Sequence, residues 1–158
     1  MCYNEPSIFI LLNKKNIKGR GIMAQTEYLY SWNWTGYNPI GAGWETCDPG
    51  HTFGPGIRDF YIIHYVLSGT GTYIIRGKEY HPQPGYLFAL APYETVYYTA
   101  DNENPRHYVW INFFINGDVP YRFETPVIHA PELRPIFLAF RNILIITIQA
   151  ETMWPVVC

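Results

Sequence analysis

The stretch HYVLSGTGTYIIRGKEY, residues 64–80, decides how this chain is read. Two apolar runs, YVL and TYII, are broken by Gly69, Gly71 and Gly77. β-branched and aromatic residues pack well on a pleated surface, and glycines supply the positive φ of tight turns. The stretch therefore predicts two strands joined as a hairpin across residues 68–71, with another turn at residues 76–78. Nothing in it has the look of a catalytic motif. Its purpose must lie in what the strands enclose.

The same punctuation runs outward on both sides. Upstream, EYLYSWNWTGYNPIGAGWETC (27–47) reads as an aromatic segment, a turn and a short alternating strand around Trp44. DPGHTFGPG (48–56) reads as a Gly/Pro loop, and RDFYIIHYVLSG as a strand. Downstream, Pro84-Gly85 fits the middle of a type II turn. YLFALAP, TVYYTA and RHYVWINFFING are further strands, DNENP is a polar turn, and PYRFETPVIH adds a last strand. From Pro131 the period changes. Leu133, Ile136, Phe137, Phe140, Ile143 and Leu144 fall at helical spacing, with Pro135 in the tolerated first turn. The run ILIITI (143–148) is the weak point of that helix, because β-branched side chains lose rotamer freedom there. Seven or eight short strands followed by a helix predict an all-β, closed barrel with a C-terminal helical segment.

Composition narrows the function. The chain has 158 residues, 48% hydrophobic and 15% charged, enough for one domain with a real core. Aromatics reach 18%, with 14 Tyr and 5 Trp, which suits sheets and binding cavities alike. The net charge of −2 and the isolated basic group Lys14, Lys15, Lys18 and Arg20 give no electrostatic footprint for nucleic acid. Cys2, Cys47 and Cys158 are odd in number and lack metal spacing, so a reducing cytoplasm is expected. IFILL (8–12) is too short for a signal core, and no run approaches a membrane span. Met23 is a candidate start, which makes the preceding residues an upstream extension. The expected organisation is an extension over residues 1–26, a barrel with its N-terminal arm over 27–130, and a helix and tail over 131–158.

The order of the turns is specific. Gly69-x-Gly71, Gly77-Lys-x-Tyr80, Pro84-Gly85 and Ala91-Pro92 occur in the sequence of the cupin barrel, and the chain resembles that double-stranded β-helix. With RDFYIIHYVLSGTG and NPRHYVWINFF it further resembles the N-terminal sugar-binding and dimerisation domain of AraC-type transcription regulators, over roughly residues 40 to 130. The resemblance implies a small carbohydrate effector, a homodimer, and DNA contact only through a helix-turn-helix domain that this chain does not include. It implies no membrane partner.

Many cupins hold a catalytic metal on two His, a Glu and a later His. The resemblance puts those positions near residues 58–62 and at Val96, where this chain has Arg58, Asp59, Phe60, Tyr61 and Ile62. The ligand set is missing, so neither metal nor another cofactor is expected, and no catalytic residue is assigned. Strand parity, anchored on those inward positions, then places Arg58, Phe60, Ile62, His64 and Val66 inside, with Val96 and Tyr98. The family directs a Trp at the position of Trp110 onto the sugar, and parity adds Tyr108 and Asn112. Arg58, His64, Tyr98, Tyr108, Trp110 and Asn112 are thus the candidate ligand-binding residues. An indole offers a flat apolar face to sugar C–H groups, and the others supply donors and acceptors for hydroxyls. Each has a plainer reading beside it: Trp110 as core, His64 as an interior histidine, Tyr98 as wall packing, Arg58 turned to solvent beside Asp59. Leu133, Ile136, Phe137, Phe140 and Leu144 are the candidate dimerisation stripe, or else the cover of the barrel's own flank. A cupin enzyme acting on a sugar (isomerase, epimerase or dioxygenase) and a filled, stand-alone oligomerisation module remain the competing readings.

Overall fold

In a computed structural model, residues 9–12, 23–30, 36–118 and 121–153 are described. Alternating apolar segments form strands throughout. β1 (Phe9–Leu12), β2 (Met23–Tyr30), β3 (Gly36–Thr46) and β4 (Thr52–Gly56) come first. β5 (Tyr61–Ser68), β6 (Gly71–Ile75), β7 (Lys78–Tyr80) and β8 (Tyr86–Leu90) follow. β9 (Val96–Ala100), β10 (His107–Asn116) and β11 (Val127–His129) complete the sheets, and α1 (Arg134–Met153) comes last. One sheet has the order β1-β2-β3-β10-β5-β8-β11 and the other β4-β9-β6-β7. The interleaving of β3-β10-β5-β8 with β4-β9-β6-β7 is that of a double-stranded β-helix.

The expected hairpin across residues 68–71 does not form. β5 pairs with β10 and β8, whereas β6 pairs with β7 and β9. Gly69 is the corner at which the chain leaves one sheet for the other. It sits at φ +70, and a side chain there would overlap the carbonyl of Pro105. The Thr70 N–H donates to the Asn104 carbonyl at 2.8 Å, which pins the corner. The true hairpin joins β6 to β7, with Arg76 and Gly77 at φ 53 and 70 between Ile75 and Lys78. Two successive positive φ values match the twist of the flanking strands. The predicted turn at Pro84-Gly85 is present, with Gly85 at φ +88 and the Tyr86 N–H donating to the Gln83 carbonyl at 3.0 Å. The Gly/Pro loop of residues 48–56 contains β4, which pairs with β9.

The long helix runs straight through the β-branched segment. Packing outweighs propensity here: the Phe137 ring stacks on Tyr65 with centroids 4.5 Å apart and planes 5° from parallel, and Leu144 is buried one heptad on. Two apolar clusters result. Ile62, Val66, Tyr73, Phe88, Val96, Tyr108 and Trp110 fill the barrel, while Trp44, Tyr65, Leu67 and Val109 meet Phe137 and Leu144 outside it. β5 serves both, with Val66 inward and its neighbours Tyr65 and Leu67 outward. β1 and the first half of β2 lie within the expected N-terminal extension, and the two strands add to the sheet beside β3. Of the proposed arm, residues 28–30 belong to β2, and residues 31–34 lie outside the described residues, as does the tail from residue 154.

Candidate functional site

β10 and β5 set the interior row. Trp110 lies opposite His64, and His64 lies opposite Phe88 on β8. Tyr108, one pleat along, lies opposite Glu45 on β3 and Val66 on β5. On the facing sheet Tyr98 of β9 lies between Phe53 of β4 and Tyr73 of β6. These registers bring the rings into contact. His64 lies 4.6 Å from Phe88, 4.9 Å from Tyr108 and 5.5 Å from Tyr98, centroid to centroid. Tyr108 lies 5.7 Å from Trp110. The barrel interior is therefore a wall of aromatic faces with polar tips.

Two guanidinium groups flank this wall. Arg58 covers the Phe53 ring at 4.5 Å, Phe53 stacks on Tyr98 at 4.9 Å, and Arg106 covers Tyr98 at 4.6 Å. Arg106 also lies 5.4 Å from Tyr108 and 5.7 Å from Phe88, all within cation–π range. It is only 1% exposed, and its Nε, Nη1 and Nη2 atoms are buried without a hydrogen-bond partner. Gly71 is close by: a Cβ there would overlap the Thr99 carbonyl and stand 3.2 Å from Nη1. The nearest interior carboxylate, that of Glu45, is already engaged. Its Oε2 accepts the Tyr108 hydroxyl at 2.5 Å, and its Oε1 lies 3.1 Å from His51 Nε2.

Burial governs the electrostatics. The His64 pKa is held well below the ordinary imidazole value, by burial first and then by the charges of Arg106 and Arg58. Burial pushes the Tyr98 phenol up to about 12, and the Cys47 thiol likewise up to about 12 with Glu45 adding to it. Tyr108 is raised well above its usual value by burial, with Tyr98 and Glu45 in support. At neutral pH these groups offer neutral donors and acceptors.

The candidate residues from sequence fall as follows. His64, Tyr98, Tyr108 and Trp110 meet in one ring cluster inside the barrel. Arg58 is half-buried, and its guanidinium is laid on Phe53. Asn112 is half-buried at the β3 bulge, with Oδ1 buried and unpartnered. Ile62 and Val96, at the positions where the resemblance would put metal ligands, are buried in the barrel cluster. Among the described residues no three His, Cys, Asp or Glu side chains gather as an ion site. Arg106, Glu45, Phe53 and Phe88 were not anticipated. Arg106 shares the parity of Tyr108 and Trp110, and one more alternate step back, just before β10 begins, reaches it. Glu45 alternates with Trp44, which packs on the opposite face. On α1, Phe137 and Leu144 are buried on the domain's own sheet, Phe140 packs partly against it, and Ile136 is 62% exposed; Leu133, in the 3-10 turn just before α1, also packs partly there.

Residues 38–116 match the model of the AraC-like ligand binding domain. That is half of the chain, and the chain belongs to this family. It is similar to the Msm operon regulatory protein of Streptococcus mutans, 41% identical over 71 residues, covering 45% of this chain and 26% of that protein. The Raffinose operon transcriptional regulatory protein RafR of Pediococcus pentosaceus is 37% identical over 81 residues, covering 48% of this chain and 28% of that protein. The matched region thus spans little more than a quarter of either relative. A cupin protein from Bacteroides fragilis aligns with a TM-score of 0.45 at 20% identity, over 60% of this chain and 80% of that one.

Proposed function

We propose that this domain senses an effector for a transcription regulator of sugar utilisation, that the effector is a small carbohydrate held inside the barrel, and that it is not chemically altered there. The observation that carries the reading is the inward meeting of Trp110, Tyr108, Tyr98 and His64. A sugar's C–H face stacks on the indole, and its hydroxyls find the phenols, the imidazole and Asn112. Each buried polar atom left unpaired costs about 1–3 kcal/mol, so a ligand rich in hydroxyls fits this lining better than an apolar one. The printed names of the two operon regulators support the regulatory half of the reading. A homodimer completes it, formed beside Ile136 on the side of α1 that the sheet leaves open. DNA contact is assigned to a separate domain, and the whole is placed in the cytoplasm.

The experiment is titration calorimetry of the domain against a panel of mono- and oligosaccharides. At least one sugar binds, and Trp110→Ala weakens it by tenfold or more. A sugar that binds the variant as tightly as the wild type would move the site elsewhere.

A further inference from the structure

The aromatic wall explains hydroxyl recognition, but it leaves Arg106 unexplained. A guanidinium is a permanent cation with five donors. Removing it from water is costly, and cation–π contacts return only part of that cost. The Arg106 side chain is 1% exposed, and its nitrogens find no oxygen partner; the polar group beside them is the Cys47 thiol, which burial keeps neutral and which cannot balance the charge. The interior charges among the described residues do not balance it. Glu45 is the buried carboxylate among the described residues, and its two oxygens are taken by Tyr108 and His51. Gly71 on β6 lets the backbone approach closely here: a Cβ would overlap the Thr99 carbonyl and meet Arg106 Nη1 at 3.2 Å.

We propose that the carbohydrate bound in the barrel carries an oxyanion, a carboxylate or a phosphate ester, and that Arg106 receives it. The inference rests on the sugar-sensing reading and specifies its ligand class. Hydroxyls satisfy donors but leave the charge uncompensated; an oxyanion does both, and the planar fork of Arg matches its geometry bidentately. The placement is consistent with a single small ligand. Phe88, Tyr98 and Tyr108 touch both Arg106 and His64, and His64 is the cross-strand partner of Trp110. A sugar ring on the indole therefore has the guanidinium one aromatic ring away.

The test is calorimetry on the wild-type chain with three matched ligands: a hexose, its 6-phosphate and its uronic acid. At least one acidic form binds tenfold or more tightly than the neutral hexose, and which one does so separates phosphate from carboxylate. Inorganic phosphate competes with the acidic form, and Arg106→Met abolishes the preference. If the neutral hexose binds as tightly as both acids, the oxyanion is wrong while the sugar reading stands. If Arg106→Met weakens neutral and acidic forms by the same factor, Arg106 acts on hydroxyls or packing and the proposal is again overturned. If neither these ligands nor any sugar of the wider panel binds, the sugar reading itself falls. The wild-type comparison alone decides the matter should the variant not fold.

Discussion

Arg106 and His64 share three rings. Phe88, Tyr98 and Tyr108 each lie within 5.7 Å of the guanidinium carbon and within 5.5 Å of the imidazole centroid. A fixed cation and a titratable base thus occupy one aromatic box, and burial first, then the cation, keeps the base neutral.

Acid should destabilise the fold through that pair. Above the ordinary histidine value of about 6.5, His64 is neutral in both folded and unfolded chains and contributes nothing. Below it, the unfolded chain takes up a proton that the folded one refuses, because burial, Arg106 and Arg58 lower the folded pKa. Stability then falls as pH drops, by up to about 1.4 kcal/mol per pH unit. His107, lowered by burial and by Arg141, acts in the same direction. Thermal unfolding between pH 7.5 and 5 should show a steeper fall in Tm for the wild type than for His64→Gln. Parallel slopes would refute the assignment.

Arg106→Met should stabilise the ligand-free domain or leave it unchanged, since a buried charge without a counterion is exchanged for an apolar side chain. Urea unfolding measures this. A loss above about 2 kcal/mol would make Arg106 a structural strut instead.

Tyr108→Phe should cost about 1–3 kcal/mol. It strips the donor from Glu45, whose side chain is only 9% exposed. Chemical denaturation at pH 7 reads the loss, and a neutral result would mean that water replaces the hydroxyl without penalty.

The corner between the sheets should tolerate no side chain. Gly69→Ala combines a left-handed backbone, worth about 1–2 kcal/mol, with an overlap onto the Pro105 carbonyl. It should lower stability by more than about 2 kcal/mol, whereas Gly77→Ala, which meets nothing within 4 Å, should lose only the backbone term. Equal losses would show that sterics at the corner are unimportant.

The two kinds of apolar position on α1 should separate cleanly. Phe137→Ala removes a buried ring and should cost about 3–5 kcal/mol. Ile136→Glu should leave stability within about 0.5 kcal/mol and convert a dimer to a monomer in sedimentation velocity. An unchanged sedimentation profile would remove Ile136 from any self-association.

Alternation made most strands and the barrel's inner face readable, because period-2 patterning reports burial directly. It could not report which strand pairs with which. The sequence at residues 68–71 looks like a hairpin, and only the approach of Pro105, distant in sequence, turns Gly69 into a corner. Helix propensity argued against residues 143–148, yet the packing on Tyr65, Leu67 and Val109 decided the matter. The rings at the site were visible through parity and the family likeness. Arg106 was not, since a charged residue beside a polar turn reads as solvent-facing until its burial is seen.

On β5, His64 and Tyr65 are neighbours in the chain: one touches the aromatic box, the other lies flat on Phe137 and donates its hydroxyl to the Ala130 carbonyl at 3.2 Å. Barrel interior and helix are thus separated by the thickness of one backbone, close-packed on either side. A partition so thin leaves little slack, so a shift of β5 on its inner side would be carried to the outer rod.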